Sequence, residues 1–543
     1  MLATDYKAYY DNFSPSLIEE KLIGNLNDGF NICEEICDRW ADEGDRVGLF
    51  YEGVTREASQ HTFAELKEAS ARFANFLKSQ GIGKGDRVAG LLPRTPELLV
   101  VVLGVLRAGA VYQPLFTAFG AGAIEYRVDK ANTRLIVTDE ANRSKLDDVK
   151  GRPPVMLVGT PKQGEFDFSE ELAKQSADFE PVRIGADEPF LQMFTSGTVG
   201  KSKGVAVPAR AILSFYVYMR FAIGLREEDK YWNVADPGWA YGLYYAVVGP
   251  LLLGNATHFN EHGFTPETTY HMLRKYQITN LAAAPTAYRM LMANDNVLAE
   301  GECLGLRAAS SAGEALNPEV IGWVKRRLGC AVMDHYGQTE TGMTCCNHHD
   351  LEQSVVRVGS MGFSMPGHRV VALNGDYAEI GENEIGQLAV DVESSPLFFF
   401  QGYTWDEKDP FKGRYYLTGD VVISHGDGSY SFTGRDDDII STAGYRVGPA
   451  DVESTLLEHP AVAESGVVGK PDASRGSIIK AYVVIKPQFD PTTELAEELK
   501  QLVRSRLSTH AFPREIEFVS ELPKTPSGKI QRFILRNQAR DEV

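Results

Sequence analysis

Along the first two-thirds of the chain, apolar residues recur in turn at helical and at strand spacing. After Thr62 they return every three or four residues, which predicts an amphipathic helix. Thr62 and Glu65 have the spacing of a capping box, and Gly81 is a typical helix stop. Further apolar segments predict a strand, a buried helix and a second strand, at 87–92, 96–106 and 134–137. Strands that alternate with helices indicate parallel sheets flanked by helices.

From about residue 355 the pattern changes to short, closely spaced strand signals. They lie at 370–373, 386–392, 421–424 and 429–433. The sequence His-Gly-Asp-Gly at 425–428 separates the last two and is typical of a hairpin turn. A β-rich subdomain is therefore predicted after the alternating region.

A run of charged residues, Gly-Arg-Asp-Asp-Asp at 434–438, interrupts the apolar pattern. We predict an N-terminal domain at 1–434, a hinge at 435–438 and a C-terminal domain at 439–543. The last segment has the size and mixed helix and strand signals of one small α+β domain. The predicted fold class is α/β, with a large N-terminal domain of two flanked sheets plus a β-rich subdomain, and a small α+β C-terminal domain.

Composition excludes several classes of function. The 543 residues carry 55 Lys and Arg against 74 Asp and Glu, and a net charge of −19 disfavours nucleic acid as a partner. The longest apolar run, 98–106, is far shorter than the about 20 residues of a transmembrane helix. No apolar signal segment is present at the N-terminus, and six cysteines make no disulfide framework. We expect a cytoplasmic protein without nucleic-acid or membrane partners, and leave open whether it forms an oligomer.

Hydroxyl groups, glycines and lysines are concentrated at 194–204, Phe-Thr-Ser-Gly-Thr-Val-Gly-Lys-Ser-Lys-Gly, directly after a strand pattern. Glycines allow backbone N–H groups to turn toward an anion, and lysines add positive charge. The segment therefore predicts a loop that binds nucleotide phosphates. The candidate contacts are Thr195, Ser196, Gly197, Thr198, Gly200 and Lys203.

The same loop nearly matches a Walker A motif. Gly200, Lys201 and Ser202 fit the end of that motif, but its first glycine would fall at Thr195. The residues at 204–208 have a strand pattern, whereas a Walker loop opens a helix. A P-loop NTPase or kinase is therefore a disfavoured alternative, and a solvated Gly/Ser loop is the alternative without function.

Five further motifs follow in the chain. They are Ser-Ala-Gly-Glu-Ala-Leu at 311–316, Asp-His-Tyr-Gly-Gln-Thr-Glu-Thr-Gly at 334–342, Tyr-Leu-Thr-Gly-Asp at 416–420, Gly-Tyr-Arg-Val-Gly at 444–448 and Leu-Pro-Lys-Thr-Pro-Ser-Gly-Lys-Ile at 522–530. Together with the phosphate loop, in this order, they resemble the adenylate-forming superfamily of acyl-CoA synthetases, luciferases and peptide-synthetase adenylation domains. One departure is Ser202, where the family often has proline, and we expect it to loosen the loop.

The resemblance implies a site for ATP and Mg²⁺. Nucleotide contacts are implied for Gly313, Glu314, Ala315, Asp334, His335, Tyr336, Gly337, Gln338, Thr339, Asp420, Arg435 and Arg446. Asp420 would accept the ribose hydroxyls, and Glu340 would hold Mg²⁺, which prefers carboxylate and phosphate oxygens. Lys529 would be catalytic, together with Thr339 and Arg446, by bridging the substrate carboxylate and the α-phosphate.

Segments 236–242 and 443–453 resemble acetyl- and medium-chain acyl-CoA synthetases in particular. The implied acyl pocket comprises Trp239, Ala240, Tyr241, Gly242, Ala312 and Gly337. Acetyl-CoA synthetases have tryptophan in place of Gly337, so glycine is expected to open a tunnel, whereas Tyr241 narrows the pocket. We therefore expect an acid that is short to medium in length or branched.

Only 14 residues follow Lys529, which leaves no carrier domain in this sequence and favours free coenzyme A as the acceptor. Ala443, Gly444 and Arg475 are the candidate coenzyme A contacts. The expected reaction has two steps, formation of an acyl-adenylate and then of the thioester. Between them, the mobile C-terminal domain is expected to rotate about Asp437. Transfer to a carrier protein, and a nucleotide-sensing relative without catalysis, remain the alternatives within the family.

Cysteines and histidines at 345–349 also suggest a zinc site. The adjacent pair Cys345 and Cys346 lacks the usual spacing of zinc ligands, so we disfavour a site formed with His348 and His349.

Overall fold

The computed structural model describes residues 4–195, 202–299, 301–314, 316–352, 356–405, 409–442, 445–472, 475–508, 510–524 and 529–542. The helix predicted after Thr62 spans Phe63–Ser79. The Thr62 side chain accepts from the Glu65 N–H and the Glu65 side chain accepts in return, so the capping box is confirmed. Gly81 follows with a positive φ of 67° and ends the helix as predicted.

The first large sheet has seven strands. In spatial order they are Lys203–Pro208, Pro189–Thr195, Val111–Pro114, Arg87–Leu91, Thr133–Asp139, Val155–Val158 and Phe166–Asp167. All neighbours are parallel except the first pair, which forms an antiparallel hairpin. Helix Pro96–Arg107 packs within this unit and is buried from Leu98 to Arg107, as its continuous apolar sequence predicts.

The second large sheet has six strands. They are Tyr231–Asn233, Asn280–Ala283, Ala308–Ala312, Val332–Gln338, Gly342–Cys346 and Phe363–Ser364. The first four are parallel and the last two antiparallel. The fourth strand begins at Val332 and continues through the predicted nucleotide motif. Gly329 ends the preceding helical turn in the left-handed conformation.

Helices flank both sheets, so the predicted parallel sheets with helical cover are confirmed. The helices lie at Tyr6–Asp11, Ser16–Glu19, Arg39–Ala41, Phe63–Ser79, Pro96–Arg107, Ala121–Ala131, Glu140–Arg143, Phe168–Ala173, Ala211–Val217, Ala240–Gly242, Gly249–Leu252, Pro266–Lys275, Pro285–Ala293 and Pro318–Trp323. Continuous with some of them are π-helical turns at Glu34–Asp38, Tyr218–Ala222, Leu243–Val248 and Val324–Leu328. Short 3₁₀ turns lie at Ser144–Leu146, Asp295–Val297 and Val392–Ser394.

The predicted β-rich subdomain is an antiparallel sheet. Its strands are Val370–Leu373, Ile385–Asp391, Tyr415–Ser424, Phe411–Lys412 and Tyr430–Arg435. The third of these begins six residues earlier than predicted and contains the Tyr-Leu-Thr-Gly-Asp motif. Smaller sheets are formed by Val47–Glu52, Ser59–Thr62 and Thr257–Asn260, and by Thr4–Asp5 with Leu351–Glu352.

A separate core forms the C-terminal part. Its three-stranded sheet consists of Val462–Asp472, Gly476–Ile485 and Glu515–Phe518, beside the pair Ile440–Thr442 and Tyr445–Val447. Its helices are Pro449–Leu457, Thr493–Arg506 and Arg532–Asp541. Among the described residues, no helix is both long and apolar enough to cross a membrane.

Candidate nucleotide and acyl site

Strands Pro189–Thr195 and Lys203–Pro208 frame the predicted phosphate loop, and we call these strands with their connection the phosphate hairpin. Thr195 lies opposite Lys203 in the antiparallel register. A strand follows the loop where a Walker motif requires a helix, so the sequence argument against a P-loop enzyme holds. Ser196, Gly197, Thr198 and Gly200 lie outside the described residues, and their contacts stay predictions.

Aromatic side chains cover the base of the phosphate hairpin. The Lys203 ammonium lies 4.3 Å from the centre of the Tyr403 ring. Trp405 stacks on Phe194 with ring centres 5.4 Å apart. A Cβ atom at Gly204 would lie 2.2 Å from the Trp405 ring, so the ring can occupy this place only because residue 204 is glycine.

Ser202 itself is held by hydrogen bonds, but the loop at 196–201 lies outside the described residues, so the expected loosening of the loop stays a prediction. The Ser202 hydroxyl accepts a hydrogen bond of 2.8 Å from the guanidinium of Arg127. Its carbonyl accepts one of 2.9 Å from the hydroxyl of Tyr126. Hydrogen bonds from a neighbouring helix thus hold the position at which the family often has proline.

Asp420, the candidate ribose ligand, lies at the centre of a buried polar cluster. Its carboxylate accepts hydrogen bonds from the Tyr336 hydroxyl (2.5 Å) and the Gln338 amide (2.8 Å), and Arg435 lies 3.3 Å away. Burial raises the pKa of Asp420, while the positive charges of Arg435 and Lys529 act in the opposite direction. The positive charge of Lys529, from the C-terminal part, therefore acts on the ionisation of Asp420 in this structure.

Glu340 is buried and stands beside this cluster. One carboxylate oxygen accepts a hydrogen bond of 2.9 Å from the Tyr403 hydroxyl, and burial raises the pKa of Glu340. Among the described residues, no lysine or arginine forms an ion pair with it. A buried carboxylate with an oxygen to spare fits a hard divalent cation such as Mg²⁺.

The predicted adenine wall lies at the end of strand Ala308–Ala312. Gly313 has a φ of +102° and open space around its Cβ position. The Glu314 carboxylate accepts from Arg289 (2.7 Å) and Thr286 (3.1 Å), which fixes the side chain beside this turn. Ala315 lies outside the described residues.

Two neighbouring motif residues, Asp334 and His335, have different surroundings. Among the described residues, Asp334 accepts hydrogen bonds from backbone N–H groups alone, and burial raises its pKa to about 8. His335 Nδ1 lies 2.9 Å from the Tyr218 hydroxyl, and its Nε2 lies 2.9 Å from the Asn347 carbonyl. Both nitrogens of the His335 ring are therefore used inside the protein, which leaves the backbone for any nucleotide contact.

Gly337 lies at a bulge between strands Val332–Gln338 and Gly342–Cys346. A Cβ atom at this position would lie 2.2 Å from the carbonyl oxygen of Gly342. The close backbone approach is a second reason for glycine here, independent of the predicted acyl tunnel, which stays a prediction.

The predicted acyl segment begins with Trp239, which packs between Phe116 and Phe119 at ring distances of 5.3 and 5.5 Å. The Tyr241 hydroxyl lies 3.5 Å from that of Tyr218. At Gly242 a Cβ atom would lie 2.1 Å from the carbonyl oxygen of Asp236, so the turn requires glycine. Ala240 precedes it in the same short helix, and Ala312 is buried in the same core.

Sequence reasoning missed two tyrosines that join the acyl segment to the nucleotide motif. In the π-helical turn Leu243–Val248, the Tyr244 hydroxyl donates to the Thr339 carbonyl (3.0 Å). The Tyr245 hydroxyl accepts from the Met343 N–H (3.1 Å). Their helical spacing from Tyr241 was the available signal, but spacing alone does not name the partner.

The terminal helix holds the predicted hinge. The sequence did not indicate this contact. Arg536 donates to the Asp437 carbonyl (2.9 Å) and pairs with the Asp438 carboxylate. Arg532 donates to Glu453 (2.9 Å). This helix begins three residues after Lys529, so the hinge and the catalytic candidate share one support.

Of the candidate coenzyme A contacts, only Arg475 is described. Its backbone N–H donates to Asp472 (2.9 Å). Ala443, Gly444 and the Arg446 side chain lie outside the described part. The single grouping of metal-ligand side chains within that part is Cys33, Cys37 and Asp38, and Asp38 is paired with Arg107.

Known protein families match both the N-terminal and the C-terminal part of this chain. The AMP-binding enzyme family matches residues 37–403, and the AMP-binding enzyme C-terminal domain matches 451–529. Acetyl-coenzyme A synthetase of Bacillus subtilis is 36% identical over 521 residues, which cover 93% of this chain and 90% of that protein. 4-Hydroxybutyrate–CoA ligase 1 of Metallosphaera sedula is 34% identical over 533 residues, 96% of this chain and 93% of that protein.

A crystal structure of Brucella canis acyl-CoA synthetase has 49% sequence identity and a TM-score of 0.80, with 99% of each chain covered. These matches confirm the predicted superfamily, the α/β fold class with a large N-terminal and a small C-terminal domain, and the acid–thiol ligase class. The chain therefore belongs to the AMP-binding enzyme family, on its acyl-CoA synthetase branch.

Proposed function

We propose that this protein joins a carboxylic acid to coenzyme A, using ATP and releasing AMP and pyrophosphate. The observation that carries the proposal is the buried cluster of Asp420 and Arg435 in the N-terminal part, where the positive charge of Lys529, from the C-terminal part, acts to lower the pKa of Asp420. Lys529 would then act at the α-phosphate, next to the ribose. We infer that this arrangement serves the first of two steps.

In the first step, a carboxylate oxygen attacks the α-phosphorus, and the bond to the β-phosphate oxygen breaks as pyrophosphate leaves. The carboxylate and the α-phosphate are both anions and must approach each other. Positive charge and exact placement of the two reactants therefore contribute most to lowering the barrier. Lys529 would bridge the two anions, and the phosphate hairpin with Lys203 would hold the leaving phosphates. Mg²⁺, when bound at Glu340, supplies further neutralisation of the phosphates.

The nucleotide is oriented by the buried cluster. Tyr336 and Gln338 fix the Asp420 carboxylate from one side, and Arg435 favours its ionised form. An ionised, fixed carboxylate accepts both ribose hydroxyls in strong hydrogen bonds. At the adenine end, Asp334 is a buried carboxyl group with no basic partner among the described residues, which suits a polar edge of the base.

In the second step, the coenzyme A thiol attacks the acyl carbonyl carbon, and AMP leaves. Lys529 occupies the approach in the first step, so we propose that the C-terminal domain turns about Asp437 and removes it. The bonds from Arg536 to the hinge would then hold the adenylating arrangement until the turn. Ala443, Gly444, Arg446 and Arg475 remain our candidates for coenzyme A and phosphate contacts.

For the acid, we propose a short to medium or branched chain. Support comes from the aromatic side chains of Trp239 and Tyr241 in the acyl segment. The related acetyl-coenzyme A synthetase and 4-hydroxybutyrate–CoA ligase are named for different acids at similar identity, so identity alone does not select the acid. A cytoplasmic location and the absence of nucleic-acid partners remain predictions from composition.

Release of AMP from Mg·ATP tests the proposal, with acetate, butyrate, isobutyrate, octanoate and benzoate, each with and without coenzyme A. We expect AMP release that requires both coenzyme A and an acid of one size class. ADP as the product would contradict the proposal. If the enzyme exchanges pyrophosphate with ATP but releases no AMP when coenzyme A is added, the acceptor would instead be a carrier protein.

A further inference from the structure

Arg127, in helix Ala121–Ala131, is a deeply buried arginine at the base of the phosphate hairpin. It is 7% exposed. Its guanidinium donates to the Ala123 carbonyl (2.9 Å) and the Ser202 hydroxyl (2.8 Å). Within the described part of the chain, no carboxylate forms an ion pair with it. Its hydrogen bonds are thus made to neutral oxygens alone, and its charge is not compensated there.

The other arginines buried as deeply have acidic partners. Arg107 donates to Asp38 (2.9 Å), and Arg143 donates to Glu165 (2.5 Å). Arg127 instead lies 4.1 Å from the centre of the Phe119 ring, and burial lowers its pKa to about 10. A buried charge without a partner is costly, so its retention calls for an anion supplied from elsewhere.

The helix that carries Arg127 holds the phosphate hairpin at a single residue. Tyr126 donates from its hydroxyl to the Ser202 carbonyl (2.9 Å), next to the Arg127 bond to the Ser202 hydroxyl. Ser202 precedes Lys203, which pairs with Thr195 at the base of the hairpin. Two consecutive side chains therefore fix the point at which the hairpin leaves the sheet.

We propose that Arg127 is a positioning residue for ATP, which holds Ser202 and keeps at the hairpin base a positive charge that the triphosphate neutralises. The inference rests on the proposed function, because it takes the hairpin as the phosphate site. At residue 202, where related enzymes often have proline, this chain has a serine that bonds to the buried guanidinium of Arg127. A proline can only stiffen the chain, whereas this pair also adds charge.

The charge distinguishes this role from ordinary packing. A triphosphate brings more negative charge to the hairpin than a monophosphate does, so removal of the cation affects ATP more than AMP. Loss of packing or of fold would weaken both nucleotides together. The ratio of the two affinities is therefore the quantity to measure.

Calorimetric titration of the full chain with ATP and with AMP tests the inference. In Arg127→Gln we expect the Kd for ATP to rise about tenfold, the size of one lost charge-assisted contact, and the Kd for AMP to change less than about twofold. Arg127→Lys keeps the charge and should stay within about threefold of the unmodified protein for ATP. Tyr126→Phe, the matched comparison, removes the other bond to Ser202 without removing charge, and should change the ATP-to-AMP ratio of affinities less than Arg127→Gln does.

Equal weakening of ATP and AMP in Arg127→Gln, or unchanged ATP binding, overturns the inference. A large loss of ATP affinity in Arg127→Lys does so too, and this variant keeps the test open where the glutamine variant fails to fold. The proposed function fails separately, if the unmodified protein releases no AMP from ATP with any acid. Thioester formation from supplied acyl-AMP should be unchanged in Arg127→Gln, because that substrate lacks the β- and γ-phosphates.

Discussion

The nucleotide side and the acyl side of the candidate site are built from different interactions. On the nucleotide side, Asp420 is fixed by hydrogen bonds from Tyr336 and Gln338 and by the charge of Arg435. On the acyl side, Trp239 is placed by ring packing, and its indole N–H has no acceptor among the described residues. Directed polar contacts fix both position and chemistry, whereas packing fixes mainly shape.

The comparison predicts that changes on the nucleotide side are costly for every acid, whereas changes on the acyl side redistribute activity among acids. Tyr244 connects the two sides through its bond to the Thr339 carbonyl.

Substitution of Asp420 by asparagine should reduce kcat/KM for ATP about 100-fold with every acid tested. Asparagine keeps the shape but loses the charge that accepts the ribose hydroxyls, and a charged hydrogen bond contributes about 1.5–3 kcal/mol. Steady-state kinetics with ATP as the varied substrate measures this.

As the matched control, Asp427→Asn changes an aspartate of the same β-rich subdomain that bonds to Ser429 in a hairpin turn. It should leave kcat/KM for ATP within about twofold of the unmodified enzyme. An Asp420→Asn enzyme with a normal kcat/KM for ATP would remove Asp420 from the nucleotide side.

On the acyl side, Tyr241→Ala should shift the preference between octanoate and butyrate toward octanoate about tenfold, with KM for ATP nearly unchanged. Removal of a buried ring makes room, and about 1–3 kcal/mol is the selectivity available per methylene in an apolar pocket. The ratio of kcat/KM values for the two acids measures the shift.

The exposed Tyr377 supplies a control, since Tyr377→Ala lies at the surface and should not change that ratio. If Tyr241→Ala weakened the binding of ATP as much as that of the acid, the nucleotide side and the acyl side would not be separable.

A separate prediction concerns the stability of the fold and its dependence on pH. Burial raises the pKa of Asp334 to about 8 in the folded protein, above the ordinary value near 4. The folded state therefore holds a proton that the unfolded state releases, so this group lowers the free energy of unfolding as pH rises from about 4 to 8. Asp334→Asn should flatten that part of the pH profile of Tm, and an unchanged slope would contradict the assignment.

Local pattern was enough to predict much of the fold. The helix Phe63–Ser79, the hairpin Tyr415–Ser424 with Tyr430–Arg435, and a strand after the phosphate loop were all predicted from periodicity and turn chemistry. Motif order then indicated the nucleotide side, because residues that contact one fixed ligand keep their identity and spacing.

Contacts between distant parts of the chain were not predictable in this way. The bonds of Arg127 to Ser202, and of Arg536 to the Asp437 carbonyl, join residues 75 and 99 positions apart. A single sequence does not indicate such pairs, because the same residue types form ion pairs at the surface and hydrogen bonds between buried side chains. For this reason, the two hydrogen bonds that hold Ser202 were not predicted.

The separated half-reactions of Lys529→Ala test the central claim most directly. Because the charge of Lys529 acts on Asp420 and is proposed to bridge the two reacting anions, its loss should reduce adenylation, measured by pyrophosphate exchange, by about a thousandfold or more. Thioester formation from supplied acyl-AMP and coenzyme A should remain within about threefold of the unmodified enzyme. Equal loss of both half-reactions would contradict the assignment of Lys529 to the first step alone.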